Sequence, residues 1–534
     1  MSEQGDTPSG MKKTLGLTGV TVNAMALIAP GAFLWMTYQL QAANVDSRGL
    51  STAKDMWTGI VVALVVAFLT AFAFAELARR YPEAGTGSAY YFAEKAFLDR
   101  QKASFQRWAR LVKFITGWAA HLFYWVYPGV MVAFFAVLAS YILGQFGLDL
   151  PVLGQVLIAV LFSISVGMIA VRGISGSTRA AIAVNIIQLT ALVVFSLLAI
   201  AFRLGNPEHL PASTWYHARG TSIVIPHHLS AVLFQSTIAI LILVGFESST
   251  ALAAEARNPR KDIPRGVILS LVIQGLFAYL FQYFAANFAV GSWLGEGCLH
   301  GSGSVCGINA AAVSGAPIGD MAVELGDSLL GGFGFAFMIV LASTVAIAIL
   351  GTTLAAMNTG VRISFAMAQD AEMPEVMGLL HGRYATPYMG VWIMVVVSAI
   401  IGSVGVAGHE IFGGASNVIY LTGITLASNL GTFLLYGLIC ALTVVAFAGA
   451  KEFRVLKHAI IPGLGLVANS IMVLAILVIG IDSGGTTASA TYLALALSGA
   501  WLVVSVLYFI GSSRQKGKAI LPSVSGVSEA KRLT

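Results

Sequence analysis

A single carboxylate stands in the middle of an otherwise apolar segment of this chain. The segment covers residues 229–256, and at its centre Gly245 and Glu247 are followed by three hydroxyl residues at positions 248–250. Hydrocarbon offers no partner to an ionised carboxylate or to an unpaired backbone group, so such a feature persists in a bilayer only where it faces protein or a water-filled cavity. Glu247 is therefore a candidate functional residue.

The overall composition places the chain in a membrane. Its 534 residues are 57% hydrophobic and only 10% charged, whereas a soluble globular protein carries about a quarter charged residues. Apolar runs close to the roughly 20 residues that cross a bilayer recur from end to end. We assign twelve of them as transmembrane helices, so the predicted fold class is an all-α, multi-pass membrane protein.

The motifs argue against an enzyme. The sequence contains no nucleophile motif, phosphate-binding loop or cofactor fingerprint, and the histidines within residues 209–228 lack metal-ligand spacing. We therefore expect no catalytic residue, no cofactor and no bound metal.

The basic residues indicate an orientation. Of the 30 Lys and Arg residues, all but Arg48, Lys54, Arg203 and Arg219 fall in alternate loops and in the two termini. By the positive-inside rule both termini are cytoplasmic, and the expected location is the inner (plasma) membrane. The net charge of +6 then reflects topology, so the expected surface partner is the lipid bilayer and not nucleic acid.

Two of the twelve spans are interrupted near their centres. Span 1 (residues 16–42) contains Ala29-Pro30-Gly31, where proline removes a backbone donor, and span 6 contains Gly245. Because these spans are five apart, they predict a five-plus-five inverted repeat with a substrate site at the bilayer midplane. The expected divisions are an N-terminus (1–15), spans 1–5 (16–202), an external loop (203–228), spans 6–10 (229–447), spans 11–12 (459–510) and a tail (511–534).

Interrupted helices expose backbone N–H and carbonyl groups that suit a zwitterion. Its carboxylate would meet N–H groups of span 1, and its ammonium would meet carbonyls of spans 1 and 6. The expected substrate contacts are Ile28, Ala29, Gly31, Ala32 and Phe33 in span 1 and Leu243, Val244, Gly245 and Phe246 in span 6. An ordinary proline kink is the alternative interpretation of Ala29-Pro30-Gly31, and the paired break in span 6 favours the site.

Other polar residues within the spans leave alternatives open. Glu247 either joins span 6 to a neighbouring helix or titrates during transport. His121 and Tyr124 lie three residues apart in span 3 and either line the pocket or pack in the core. Ser343 and Thr344 in span 8 could face span 1 and offer hydroxyls to sodium. Cys298 and Cys306 bracket an external loop, where the sequence favours a disulfide.

Several motifs resemble those of one transporter superfamily. Residues 245–248 with 255–265, residues 76–90 after span 2, and residues 362–374 after span 8 are similar to signatures of the amino acid/polyamine/organocation superfamily. The resemblance implies the five-plus-five fold, alternating access, and proton coupling or substrate exchange.

Two departures from that superfamily affect the site. Ala29-Pro30-Gly31 stands where many members have Gly-Ser-Gly, and Gln188 stands where several have a lysine in span 5. A mechanism in which this lysine carries the proton therefore does not apply to this chain. Glu247 or His121 becomes the candidate for the titratable group.

The sequence thus predicts a secondary active transporter for an amino acid or related amine, coupled to protons or alternatively to sodium, or an exchanger. The alternatives are a polyamine or biogenic-amine carrier and, in another class, a non-transporting sensor or subunit with a transporter fold.

Overall fold

In the described part of the chain, the regular secondary structure is helical. The computed structural model describes residues 15–28, 32–82, 87–100, 102–173, 178–217, 219–253, 255–414 and 416–523. Within these residues extended backbone pairs only in isolated bridges, such as that between Leu15 and Ala256. The predicted all-α membrane class is confirmed.

Eleven helical segments among the described residues are long and apolar enough to cross a membrane. Span 1 adds two shorter helices that flank residues 29–31, which lie outside the described residues. The spans are Leu17–Ile28 with Ala32–Ala42 (span 1), Met56–Arg80 (2), Ala109–Gln145 (3), Val152–Val171 (4), Thr178–Gly205 (5), Leu229–Ala239 with Ile240–Ile242 and Phe246–Leu252 (6), Pro259–Leu271 with Val272–Tyr279 and Leu280–Ala289 (7), Gly334–Gln369 (8), Tyr388–Phe412 (9), Asn417–Phe447 (10), Leu456–Ile460 with Ile461–Leu474, Ala475–Ile479 and Gly480–Asp482 (11), and Gly485–Gln515 (12).

Span 6 changes its helical geometry at the predicted position. An α-helix ends at Ala239, the short 3₁₀ turn Ile240–Ile242 follows, and the chain resumes as the 3₁₀ helix Phe246–Leu252. Gly245 separates the two 3₁₀ segments with a φ of +123°. Residues with a Cβ rarely adopt that conformation, so the turn depends on glycine.

One face of the bundle, which we call the basic face, carries the loops after spans 2, 6, 8 and 10. Here Leu15 exchanges backbone hydrogen bonds with Glu255 (3.0 Å) and Arg257 (2.8 Å), which joins the start of span 1 to the end of span 6. Lys113 Nζ lies 2.7 Å from a carboxylate oxygen of both Glu94 and Asp370. These bonds tie the loops to span 3.

The opposite face is closed by loops and a surface helix. Asp55 accepts backbone N–H groups from His227 (2.7 Å) and His228 (3.2 Å), which joins span 2 to span 6. Cys298 and Cys306 form a disulfide with a Cα–Cα distance of 5.8 Å. The helix Pro317–Leu329 packs on spans 1 and 8.

Asp320 anchors that surface helix to span 3. Tyr141 Oη donates a hydrogen bond of 2.8 Å to its carboxylate, and Ser314 donates a second. Burial raises the pKa of Asp320, and the two hydrogen bonds oppose that increase.

The connections after spans 2 and 9 have different structures. The loop after span 2 contains two short helices, Ala89–Leu98 and Ala103–Gln106. The first is buried against span 3 through residues such as Tyr90, because its apolar face meets protein and not lipid. The connection after span 9 is short, since span 9 extends to Phe412 and span 10 begins at Asn417.

The turn in span 6 can be tested with paired glycine substitutions. Gly245→Ala places a Cβ at a φ of +123°, and such strain costs about 1–3 kcal/mol. Gly351→Ala in the helix of span 8 meets open space and is expected to gain up to about 1 kcal/mol. Thermal unfolding of purified protein should therefore show a lower melting temperature for Gly245→Ala alone. Equal melting temperatures would contradict the positive φ.

Candidate functional site

The carboxylate of Glu247 is surrounded by hydrogen-bond donors. Tyr124 Oη of span 3 donates to Oε1 at 3.0 Å, while Tyr436 Oη of span 10 donates to Oε2 at 2.8 Å. The backbone N–H of Gly245 donates to the same Oε2 at 3.0 Å. Glu247 is 2% exposed, so these groups replace the water that an ionised carboxylate needs.

This arrangement fixes the 3₁₀ half of span 6 to two neighbouring spans. None of the ion pairs formed by the described residues includes Glu247, and its three donors are neutral. Carboxylate oxygens accept about four hydrogen bonds in all, so little capacity is left for a further partner. The geometry favours a positioning role for Glu247, and a proton-carrying role stays a prediction.

Aromatic rings pack beside the carboxylate. The ring of Phe246 lies 5.4 Å from that of Tyr436 and 6.2 Å from that of Phe74 in span 2. Phe74 also meets Tyr436 edge-on at 6.0 Å. The side chain of Phe246 therefore packs between spans 2 and 10, so any substrate contact by this residue would come from its backbone.

The last carbonyls of the first helix of span 1 are capped by side chains. Gln274 Nε2 of span 7 donates to Met25 O at 2.9 Å, and Thr352 Oγ1 of span 8 donates to Ala26 O at 3.1 Å. Tyr127 Oη of span 3 donates to Leu27 O at 3.4 Å. The final four carbonyls of a helix lack partners within the helix, and these three donors supply three of them.

A second amide extends this cap to span 5. Gln274 Nε2 also lies 3.4 Å from Asn185 Oδ1, and both side chains are buried. Gln188, predicted in this region, is buried one turn further along span 5. Sequence reasoning missed Asn185, Gln274 and Thr352; their signal is an amide or hydroxyl within an apolar span.

The expected contact with span 1 is wrong for Ser343, and for Thr344 it stays a prediction. Ser343 is exposed and donates to Ile339 O of its own helix, while Thr344 donates to Leu341 O. Span 8 reaches span 1 through Thr352 instead. Nine residues at 100° each place Thr352 on the opposite side of the helix from Ser343.

His121 lies away from the interruption of span 6. Its Nε2 is 2.9 Å from Ser364 Oγ of span 8, and its ring meets that of Trp501 in span 12 edge-on at 6.1 Å. A spacing of three residues offsets two side chains by about 60° around a helix. Tyr124 consequently reaches Glu247, while His121 reaches the contact between spans 8 and 12.

Several buried side-chain oxygens without a hydrogen-bond partner lie in the half of the bundle nearer the opposite face. Gln235 Nε2 donates to Gln41 O (2.9 Å), and Asn429 Nδ2 donates to Thr237 O (2.7 Å), which joins spans 1, 6 and 10. The side-chain oxygens that lack a partner in the described part of these spans are those of Thr37, Gln39, Gln41, Gln235, Thr425, Ser428 and Asn429 and, nearer the basic face, that of Thr21. Unpaired acceptors suit an ammonium group or ordered water.

The remaining predicted contacts have a partial description. Ala29 and Gly31 lie outside the described residues, and the side chains of Ile28, Ala32 and Phe33 are not described. Leu243 and Val244 are fully buried at the turn before Gly245.

Comparison with known proteins decides the family. The family model described as amino acid permease matches residues 13–507. The chain belongs to the amino acid permease family. It is therefore a multi-pass membrane transporter and not an enzyme, and the family membership confirms the predicted class of secondary transporter for amino acids or amines.

Two transport proteins are similar to this chain in sequence, and one solved structure is similar to it in fold. The branched-chain amino acid permease BcaP of Lactococcus lactis is 27% identical over 361 residues, which are 64% of this chain and 67% of that protein. The low-affinity putrescine importer PlaP of Escherichia coli is 23% identical over 51% of this chain and 54% of its own. A manganese transporter of Eremococcus coleocola, 12% identical, shares the fold with a TM-score of 0.51 over 96% of this chain and 98% of its own.

The cap on span 1 can be tested with two adjacent threonines. Thr352→Val removes the hydroxyl that serves Ala26 O, whereas Thr353→Val removes one that bonds to Ile349 O of its own helix. Both residues are fully buried, so the pair matches in size and environment. An unsatisfied buried carbonyl costs about 1–3 kcal/mol, so the initial rate of uptake and the melting temperature should fall more for Thr352→Val. Equal losses would contradict a role in capping.

The bonds to Glu247 can be tested with a double-mutant cycle. Tyr436→Phe removes a donor to the carboxylate, and its effect on stability should be non-additive with Glu247→Gln by about 0.5–3 kcal/mol. Tyr420→Phe in the same span removes a hydroxyl that bonds to Gly413 O, and it should be additive with Glu247→Gln. The measurement is thermal or denaturant unfolding of the purified variants, and additivity in both cycles would argue against the bond.

Proposed function

We propose that this permease moves a neutral amino acid by alternating access, with the substrate between the interruptions of spans 1 and 6. The observation that carries the proposal is that Glu247 is already bonded by Tyr124, Tyr436 and Gly245. Among the described residues, no free fixed charge then remains near the turn of span 6 for a charged substrate side chain. Backbone groups and unpaired oxygens are what a zwitterion requires.

A diamine fits this environment less well. Two ammonium groups need two anionic or strongly polar partners, and Glu247 is the one carboxylate near the centre of a predicted span. The apolar turn residues Ile240 to Val244 are fully buried beside it. An aliphatic or aromatic side chain suits such surroundings.

The proposed coupling ion is the proton, with substrate exchange as the alternative. Sodium needs oxygen ligands, but Met25 O already accepts the Gln274 amide and Ala26 O already accepts the Thr352 hydroxyl. A proton on Glu247 would allow Tyr124 and Tyr436 to separate from it without leaving a buried charge.

We further propose that both termini are cytoplasmic and that residues 16–202 and 229–447 are the two repeats.

Uptake into proteoliposomes tests the substrate and the driving force. Purified protein is reconstituted, and radiolabelled leucine, methionine, phenylalanine, glycine, lysine and putrescine are each offered under an inward proton gradient, an inward sodium gradient or no gradient. We expect proton-driven accumulation of at least one neutral amino acid, with little lysine or putrescine uptake. Preferred uptake of putrescine would overturn the substrate class, and sodium-driven accumulation would overturn the coupling.

The same assay tests Glu247. Glu247→Gln keeps the side-chain shape but carries no titratable proton, so gradient-driven accumulation should be lost while exchange of internal for external substrate continues. Glu208→Gln is the control, because Glu208 lies on the opposite face with Ser328 Oγ at 2.7 Å. Retained proton-driven accumulation in Glu247→Gln would remove the residue from the coupling step.

A further inference from the structure

A polar cavity opens on the basic face, away from the transport site. Its volume is about 410 Å³, and it lies between the end of span 2, the segment that follows the helix Ala89–Leu98, and the end of span 10. The lining residues are Arg80, Asp99, Arg100, Lys102, Phe105, Ala446, Ala448, Gly449 and Ala450. Three cationic side chains therefore face one carboxylate in this cavity.

The cations differ in how far they are already paired. Arg80 Nη1 lies 2.7 Å from Glu452 Oε1, and Arg80 also approaches Asp99 at 4.0 Å. Arg100 donates one N–H to Ala448 O, while its buried Nε has no partner among the described residues. The described part of the chain supplies no hydrogen-bond or ion-pair partner for the ammonium group of exposed Lys102. Arg100 and Lys102 thus retain unused donors at the cavity.

Apolar side chains lie exposed beside these donors. Phe105 lines the cavity and is 40% exposed, and the guanidinium of Arg100 stacks over its ring at 5.3 Å. Leu98 and Trp108 on the flanking turns are 48% and 41% exposed. The segment therefore presents large apolar groups next to positive charge at the end of two membrane spans, which is the environment of lipid headgroups.

We propose that this cavity binds the phosphate headgroup of an anionic phospholipid. Phosphate oxygens accept hydrogen bonds from guanidinium and ammonium groups, so Arg100 and Lys102 bind the phosphodiester. Phe105 and Leu98 contact the glycerol and upper acyl carbons. Free phosphate shares the first interaction but not the second, and the exposed apolar residues favour the lipid.

The bound headgroup would join the ends of spans 2 and 10. The same spans supply Phe74 and Tyr436, which pack on Phe246 in the centre of the bundle. A lipid at this cavity thus contacts two of the helices that surround the turn of span 6.

Binding of a fluorescent phosphatidylglycerol to the full-length protein in neutral detergent tests the proposal. Arg100→Gln with Lys102→Gln should weaken binding by about tenfold or more, since each basic residue near anionic lipid contributes about 1 kcal/mol. The control, Arg172→Gln with Arg383→Gln, removes the same charge from two exposed residues outside the cavity lining and should change the affinity less than twofold. Equal losses would mean general surface attraction and would overturn the site.

Three further arms keep the result decisive. Lys102→Gln alone should weaken binding about fivefold without affecting folding, because no bond of this side chain is lost; unchanged affinity would count against the proposal. Inorganic phosphate at millimolar concentration should compete poorly with the lipid. Complete displacement by phosphate would make this a free-anion site and overturn the lipid assignment. Phosphatidylcholine should compete no better than phosphate. If this neutral lipid competed as well as phosphatidylglycerol, that result would also overturn the assignment to an anionic lipid.

Discussion

The carboxylate of Glu247 and its three donors are the interaction on which the centre of this permease depends. A buried carboxylate without partners is destabilising by several kcal/mol, and here the partners come from Gly245 and from two tyrosines on other spans. The positive φ of Gly245 permits the turn whose N–H meets the carboxylate. The turn and the carboxyl group are therefore joined by a hydrogen bond, and spans 3, 6 and 10 are held together around them.

Span 3 connects the two interrupted helices. Tyr124 bonds to Glu247 in span 6, and Tyr127, nearly one turn later, bonds to Leu27 O in span 1. The remaining capped carbonyls of span 1 are served by Gln274 and Thr352 from spans 7 and 8. Both sides of the proposed substrate site are thus positioned by neutral side chains, so a movement of one span changes the hydrogen bonding of the others. This is the physical basis of the proposed coupling between alternating access and a proton.

Much of the fold followed from elementary patterns, while the partners within the site did not. An apolar run of about 20 residues is itself a membrane helix, and glycine beside a mid-span carboxylate indicates an interruption and a buried polar contact. Tyr436 was not anticipated as a partner of Glu247, because it lies 189 positions away and looks like any aromatic residue of a buried helix. The sequence did not show which side of span 8 faces span 1, because both sides are apolar and periodicity does not tell a side that faces lipid from a side that faces protein.

The sequence by itself determined the membrane class, the amino acid permease signatures, the glycine turn of span 6 and the importance of Glu247, since each depends on residue type within a short stretch. Tertiary structure alone decided what Glu247 bonds to, which donors cap the carbonyls of span 1, and where Arg100 and Lys102 meet a cavity. These features need the rotation of each helix about its axis and the choice of its neighbours. Both are set by packing between distant spans, so neither can be predicted from local sequence.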